Sequence, residues 1–255
     1  MIRVSAVSYL NTKPFLKGLE KKGMLPQMEL SLEIPSKTAE KLKNGLVDLA
    51  LVPVATLVNL PNYYIVSNYC IGAVGAVKTV ALYSDVPLNE VTHILLDYHS
   101  RTSVALVQVL CSRFWHKKVQ FVPANMGFET QIGGTTAGVI IGDRTIEWAK
   151  HFAYEYDLSE AWQQMTGLPF VFAAWVTLKP LPLPYIQQLN EAFEVGINSI
   201  DEVVDEYKGI YPPDFDIKKY LTKCISYPLT PPKLKALDLF LSYVKELEMT
   251  EEPAI

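Results

Sequence analysis

Apolar positions along the chain fall into short solid runs separated by stretches of helical period. IRVSAV (2 to 7) reads as a buried strand, and Pro14 suits the first turn of a helix over 14 to 22. ELSLEI (29 to 34) alternates polar and apolar, the period of a strand with one covered face. Pro35 stops it, and Ser36 is placed to cap a helix whose Ala39, Leu42 and Leu46 face one way and whose end fits Gly45. DLALVPV (48 to 54) predicts a third strand. The order βαβαβ indicates a parallel sheet covered by helices.

The middle of the chain repeats the theme. Strands are predicted over Val77–Leu82 and His93–Asp97, then a helix over 101 to 114 with Val104, Val107 and Cys111 on one stripe. VQFV (119 to 122) and GVIIG (138 to 142) are short apolar strands, and FVFAAWVTL (170 to 178) is a long one. KPLPLP (179 to 184) fits neither a helix interior nor a central strand. From Tyr185 the pattern turns helical, with Ile186, Leu189, Phe193, Ile197 and Ile200 at spacings of three and four. Shorter helices follow near 214 to 223 and 231 to 247.

Two α/β stretches and a helical tail allow a single doubly wound domain or two lobes. In the second case the chain crosses over twice, near 83 to 87 and 173 to 180. Lobe 1 then comprises residues 1–84 and 177–255, lobe 2 residues 85–176, and the tail completes lobe 1. Two lobes account better for the long strands, and they leave a cleft where ligands collect.

Composition narrows the partners. At 255 residues, 49% hydrophobic and 20% charged, the chain has an ordinary globular make-up. A net charge of −4 gives no basic footprint for nucleic acid. Cys70, Cys111 and Cys224 are widely spaced and read as reduced thiols, and the four histidines lack metal-ligand spacing. No segment is long enough to span a membrane, and VSAVSYL is too short and too soon interrupted for a signal peptide. A cytoplasmic protein is expected; its oligomeric state is left open.

Four segments leaving predicted strands carry candidate chemistry. Ser8, Tyr9, Asn11 and Thr12 follow the first strand. DYHSRTS (97 to 103) joins a strand to a helix; there Ser100, Thr102, Ser103 and free N–H groups offer donors at the helix's positive end, and Arg101 adds a fork. Simple helix capping by Ser100 explains the same residues. Asp143, after IIG, is either a ligand group or another N-cap, and Thr79 is either a site hydroxyl or an ordinary strand threonine. GxGxxG, Walker and GxSxG signatures are missing, and no general base announces itself. A catalyst made of these residues works by positioning, hydrogen bonding and burial.

VSYLNTKP (7 to 14), VDLALVPVA (47 to 55), GAVKTVALYSDVPL (75 to 88) and LDYHSRTSVALVQVL (96 to 110) together resemble the MqnA family, chorismate dehydratases of the futalosine route to menaquinone. IIGDRTIEW (140 to 148) and TGLPFVFAAW (166 to 175) continue the match, although Arg144 and Thr145 depart from the small and apolar residues of the family pattern. The resemblance covers most of residues 2 to 178 and is weak over the tail. It implies a two-lobed α/β fold like type II periplasmic binding proteins, with two crossing strands. It also implies dehydration of chorismate, a small dicarboxylate, without a redox or metal cofactor. By the same resemblance Asn11 and Thr79 are catalytic, and Ser100, Arg101, Thr102, Ser103 and Asp143 bind substrate; Ser8 and Tyr9, from their place after the first strand, are expected to line the cleft and bind substrate there. The rival readings are the sister enzyme 1,4-dihydroxy-6-naphthoate synthase, whose Cys-Pro-Asn-Asp type opening is not found here, and a non-catalytic carboxylate-binding protein.

Overall fold

The structure is a computed structural model that describes residues 1–251. The chain runs β1 (Ile2–Val7), α1 (Lys13–Lys21), β2 (Met28–Glu33), α2 (Pro35–Lys43), β3 (Leu49–Pro53) and β4 (Tyr64–Ala73). It continues with β5 (Val80–Ser84), β6 (His93–Leu96), α3 (Arg101–Arg113), β7 (Gln120–Pro123), β8 (Thr136–Ile141), α4 (Arg144–Trp148), β9 (Tyr154–Asp157) and α5 (Leu158–Thr166). Then come β10 (Phe170–Thr177), α6 (Leu183–Ile197), α7 (Ile200–Tyr207), α8 (Ile217–Lys219), a π-turn (Tyr220–Cys224), β11 (Ser226–Pro228) and α9 (Pro231–Glu251).

These strands form two sheets with the same plan. The first has the order β11-β4-β10-β3-β1-β2 and the second β7-β6-β8-β5-β9. In each, three strands run parallel and a strand from elsewhere in the chain inserts antiparallel beside the third: β10 next to β3, β5 next to β8. Parallel strands need covered faces, and α1, α2 and α6 supply that cover in the first lobe. The α1–α6 contact is close because Gly18 and Gly196 face each other: a Cβ on Gly18 would lie 1.8 Å from the Ala192 carbonyl oxygen. Behind it Phe15, Trp175 and Phe193 stack at 4.6–5.8 Å, which carries the core from helix to sheet.

The sheets divide the chain earlier than the sequence pattern suggests. The chain passes between them at residues 74–79 and 167–169, so β5 belongs to the second sheet and β10 to the first, whereas limits of 84 and 177 are expected. β10 is long and apolar because it is a central strand, buried throughout between β3 and β4. The strand expected from Val77 begins at Val80, since Lys78 has φ +67°, outside the extended region. Thr79 therefore sits in the crossing segment and not within a strand. α2 starts at Pro35 with Ile34 as its N-cap, two positions before the expected cap Ser36, and Leu46 lies beyond its end, exposed. The expected helix through Ile200 is two helices, broken at Asn198 and Ser199. β4 is absent from the pattern reading, because Ser67 and Asn68 interrupt its apolar period.

Candidate active site

The C-terminal ends of β1 and β3 in one lobe, and of β6 and β8 in the other, point at a common cavity between the sheets. About 490 Å³ of non-atom space, part of it open to solvent, lies along its walls. Val7, Pro53, Ile71, Ile141 and Phe172 make most of the lining apolar, and Tyr9, Asn11, Thr79, Ser100 and Ser103 supply its polar side chains. Carboxylate, imidazole, amine and guanidinium groups are all missing from that lining. A ligand there meets hydroxyls, one amide and backbone.

Each polar group is held by its element. β1 ends at Val7, and a short 3₁₀ turn over Leu10–Thr12 directs Asn11 inward before Pro14 enters α1. The Asn11 Nδ2 donates to the Tyr220 hydroxyl at 3.3 Å, the Thr12 hydroxyl donates to Asn11 Oδ1 at 3.3 Å, and the Tyr227 hydroxyl donates to the Asn11 carbonyl at 3.1 Å. Thr79 Oγ1 lies 2.9 Å from the same Tyr220 hydroxyl. Both tyrosines are buried and come from the tail.

Across the cleft, Ser100 caps α3: its Oγ accepts from Ser103 N at 3.1 Å and lies 3.1 Å from Ser103 Oγ. Both hydroxyls also border the cavity, so capping and site lining coexist. Thr102 is buried but turned to the first lobe, where it accepts from Ala55 N and donates to the Phe172 carbonyl, each at 3.1 Å. It braces the lobes. Arg101 is exposed on a separate outer groove with Lys37 and Glu40, away from the cavity. Ser8 is tied by its backbone to Glu33 at 2.9 Å and does not border the cavity.

Asp143 occupies the N-cap position of α4, yet its side chain does not cap. It reaches across the cleft instead, accepting from Leu10 N at 3.1 and 3.2 Å and from the Tyr211 hydroxyl at 2.9 Å. Burial raises its pKa, against the pull of these donors. The carboxylate is a clasp between lobes. Its neighbour Gly142 has φ +65°, and a Cβ there would sit 2.5 Å from the Tyr9 ring, so only glycine lets the lobes meet.

A charged cluster lies behind this wall. Asp97 accepts from His99 N and Ile141 N and pairs with Arg144, which also pairs with Glu129 at 2.5 Å. Burial pushes Asp97 up to about 6 although Arg144 opposes it. Burial works against the Arg144 charge too, but Asp97 and other neighbours outweigh it and its pKa stands above the ordinary value. His99 is lowered to about 4 by burial and by Arg144, while burial raises the Tyr9 phenol. At neutral pH both are uncharged, and one proton is shared between the Tyr9 hydroxyl and His99 Nδ1 across 2.5 Å.

A family model described as menaquinone biosynthesis matches residues 2–246. The chain belongs to this family. The match extends over the tail that supplies Tyr211, Tyr220 and Tyr227. A curated relative in Thermus thermophilus, named chorismate dehydratase, is 28% identical over 198 residues, which is 68% of this chain and 70% of that one. Among solved structures, an Archaeoglobus fulgidus protein superposes with a TM-score of 0.74 at 14% identity, covering 97% of this chain and 98% of that one. A Candida albicans protein described as having the generic periplasmic binding protein fold gives 0.69 at 12% identity, over 100% and 92%. The alkanesulfonate-binding protein of Xanthomonas axonopodis, bound to MOPS, gives 0.60 at 13%, over 95% and 92%. The two-lobed periplasmic-binding-protein-like architecture expected from the sequence is thus the fold of this menaquinone-biosynthesis family member. No helix among its described residues is long and apolar enough to cross a membrane.

Of the sequence-selected residues, Tyr9, Asn11, Thr79, Ser100 and Ser103 share the cavity, Asp143 and Thr102 bind lobe to lobe, and Ser8 and Arg101 stand apart. The sequence pattern does not single out the tail tyrosines, His99 or Gly142. Only the placement of His99 and Gly142 beside strand ends could have flagged them.

Proposed function

We propose that this chain is a chorismate dehydratase, converting chorismate to 3-[(1-carboxyvinyl)oxy]benzoate and water in the inter-lobe cavity. The observation that carries the reading is an inter-lobe cavity at strand C-termini whose polar side chains are all neutral donors and acceptors, in a member of the menaquinone-biosynthesis family. The relative named chorismate dehydratase supports the substrate. In the reaction the C–H bond beside the enolpyruvyl ether breaks, the neighbouring C–OH bond breaks, and the electron pair of the first completes the aromatic ring as hydroxide leaves.

With no basic side chain in the lining, the proton acceptor is the substrate's own enolpyruvyl carboxylate. Removing water from that carboxylate raises its basicity. Asn11 orients the reacting carboxylate or the leaving hydroxyl, since its amide both donates and accepts. The first turn of α3, with Ser100 and Ser103, holds the other carboxylate. The cytoplasm is where this route would run.

Incubation with chorismate, followed by absorbance and product mass, tests the activity. Asn11→Ala should lower kcat about 10²–10³-fold, as loss of a transition-state hydrogen-bonding group does, while its melting temperature stays close to that of the parent. Binding of chorismate without turnover would replace the enzyme with a carboxylate-binding protein. A bell-shaped pH profile that His99→Gln abolishes would replace the substrate's carboxylate with a protein base.

A further inference from the structure

The proton count around Tyr220 gives the tail a part in the site. Tyr220 begins the π-turn, closed by an Ile225 N bond to its carbonyl at 3.0 Å, and its side chain is buried. Its hydroxyl has two neighbours, Asn11 Nδ2 at 3.3 Å and Thr79 Oγ1 at 2.9 Å. Asn11 Nδ2 can only donate, so the Tyr220 oxygen accepts there. The one proton of Tyr220 then goes to Thr79 Oγ1. Burial raises the Tyr220 pKa, and the phenol keeps that proton. Thr79, whose oxygen is now an acceptor, has its own proton left over, and Thr79 borders the cavity.

We propose that Tyr220 is a positioning residue: it fixes the Asn11 carboxamide and sets the direction of a chain, Asn11 to Tyr220 to Thr79, that offers the Thr79 proton to the ligand. This rests on the chorismate reading for the ligand's chemistry, a hydroxyl leaving group and carboxylates, all of which accept. Turning the amide over would reverse the chain and leave Thr79 presenting lone pairs to an acceptor. The Thr12 hydroxyl on Asn11 Oδ1 holds the other end, and Tyr227 pins the backbone beneath it. Aligned hydroxyls polarise one another, so the last donor is stronger than an isolated threonine. π-Turns recur at functional sites, consistent with a residue placed by one here.

Tyr220→Phe should lower kcat about 10- to 100-fold, the scale of a misoriented catalytic group, with KM changed less than about threefold. Thr79→Val should fall similarly, Thr79→Ser should be the milder Thr79 variant, and the double variant Tyr220→Phe/Thr79→Val should fall no further than the worse single one. A second readout needs no substrate: in the parent the side-chain amide protons of Asn11, assigned by NMR through Asn11→Asp, exchange slowly, and Tyr220→Phe should speed that exchange at least tenfold. Unchanged amide exchange, unchanged kcat in a protein that turns over chorismate, or additive losses in the double variant would each overturn the proposal. Accelerated exchange in a protein inert to chorismate would support the positioning and defeat the substrate assignment. Should Tyr220→Phe fail to fold, Thr79→Val carries both readouts from the other end of the chain.

Discussion

The two lobes share a strand plan but finish their strands with opposite chemistry. At the end of its first strand the first lobe places Ser8, Tyr9 and Asn11; the second lobe places Asp97, His99 and Ser100 after β6. After the third strand the first lobe has Val54 and Ala55, and the second has Asp143 and Arg144. At these four strand ends both carboxylates belong to the second lobe, and each is consumed: Asp97 by Arg144 and two backbone amides, Asp143 by Leu10 and Tyr211. Charge here builds walls, and neutral groups face the ligand. Such a division suits a dianion that must lose hydroxide, because a cationic pocket would hold substrate and product alike and gain nothing in the transition state.

The heaviest blow to the comparison falls on the second lobe's charges. Arg144→Met leaves Asp97 buried without its cation and should cost about 3 kcal/mol of stability at pH 7, read by denaturant unfolding. Because burial already raises Asp97, protonating it relieves the cost, so the deficit should shrink as pH falls from 7 toward 5. Adding Asp97→Asn should recover part of it. An Arg144→Met protein as stable as the parent would mean that the cluster is not what holds the wall.

Next comes the seam between lobes. Gly142→Ala drives a methyl into the Tyr9 ring and forces a non-glycine residue to φ +65°, so closure should fail. A displacement of about 1 Å corresponds to roughly 100-fold in kcat/KM, with a larger radius of gyration in solution scattering. The mildest change is Arg101→Ala. Arg101 lies on the outer groove, and KM should stay within about twofold of the parent. A larger rise would draw that groove into substrate capture.

What the sequence reveals follows how local each feature is. Asn11, Ser100 and Asp143 stand where apolar runs end, and that position is legible because strand and turn are written in adjacent residues. Asp143 was legible as a place but not as a role, since its partners Leu10 and Tyr211 lie far away in the chain. Tyr220 leaves no local trace at all: it sits 209 residues from Asn11, inside a segment whose pattern says only helix. Arg144, a departure from the family pattern, turns out to neutralise Asp97, a pairing no spacing rule encodes.

The double passage between sheets has a consequence for how the chain is made. Residues 80 to 166 hold every strand of the second sheet in one unbroken stretch, whereas the middle of the first sheet, β10, follows them. As the polypeptide leaves the ribosome, β3 and β4 wait with open edges for a strand not yet synthesised. The second lobe is therefore poised to fold first, as a contiguous unit. Until β10 arrives, those two edges are the nascent chain's points of exposure to mispairing. The late-arriving tail then brings Tyr220 and Tyr227 onto Asn11, so the support of that side chain is among the last contacts the chain can make.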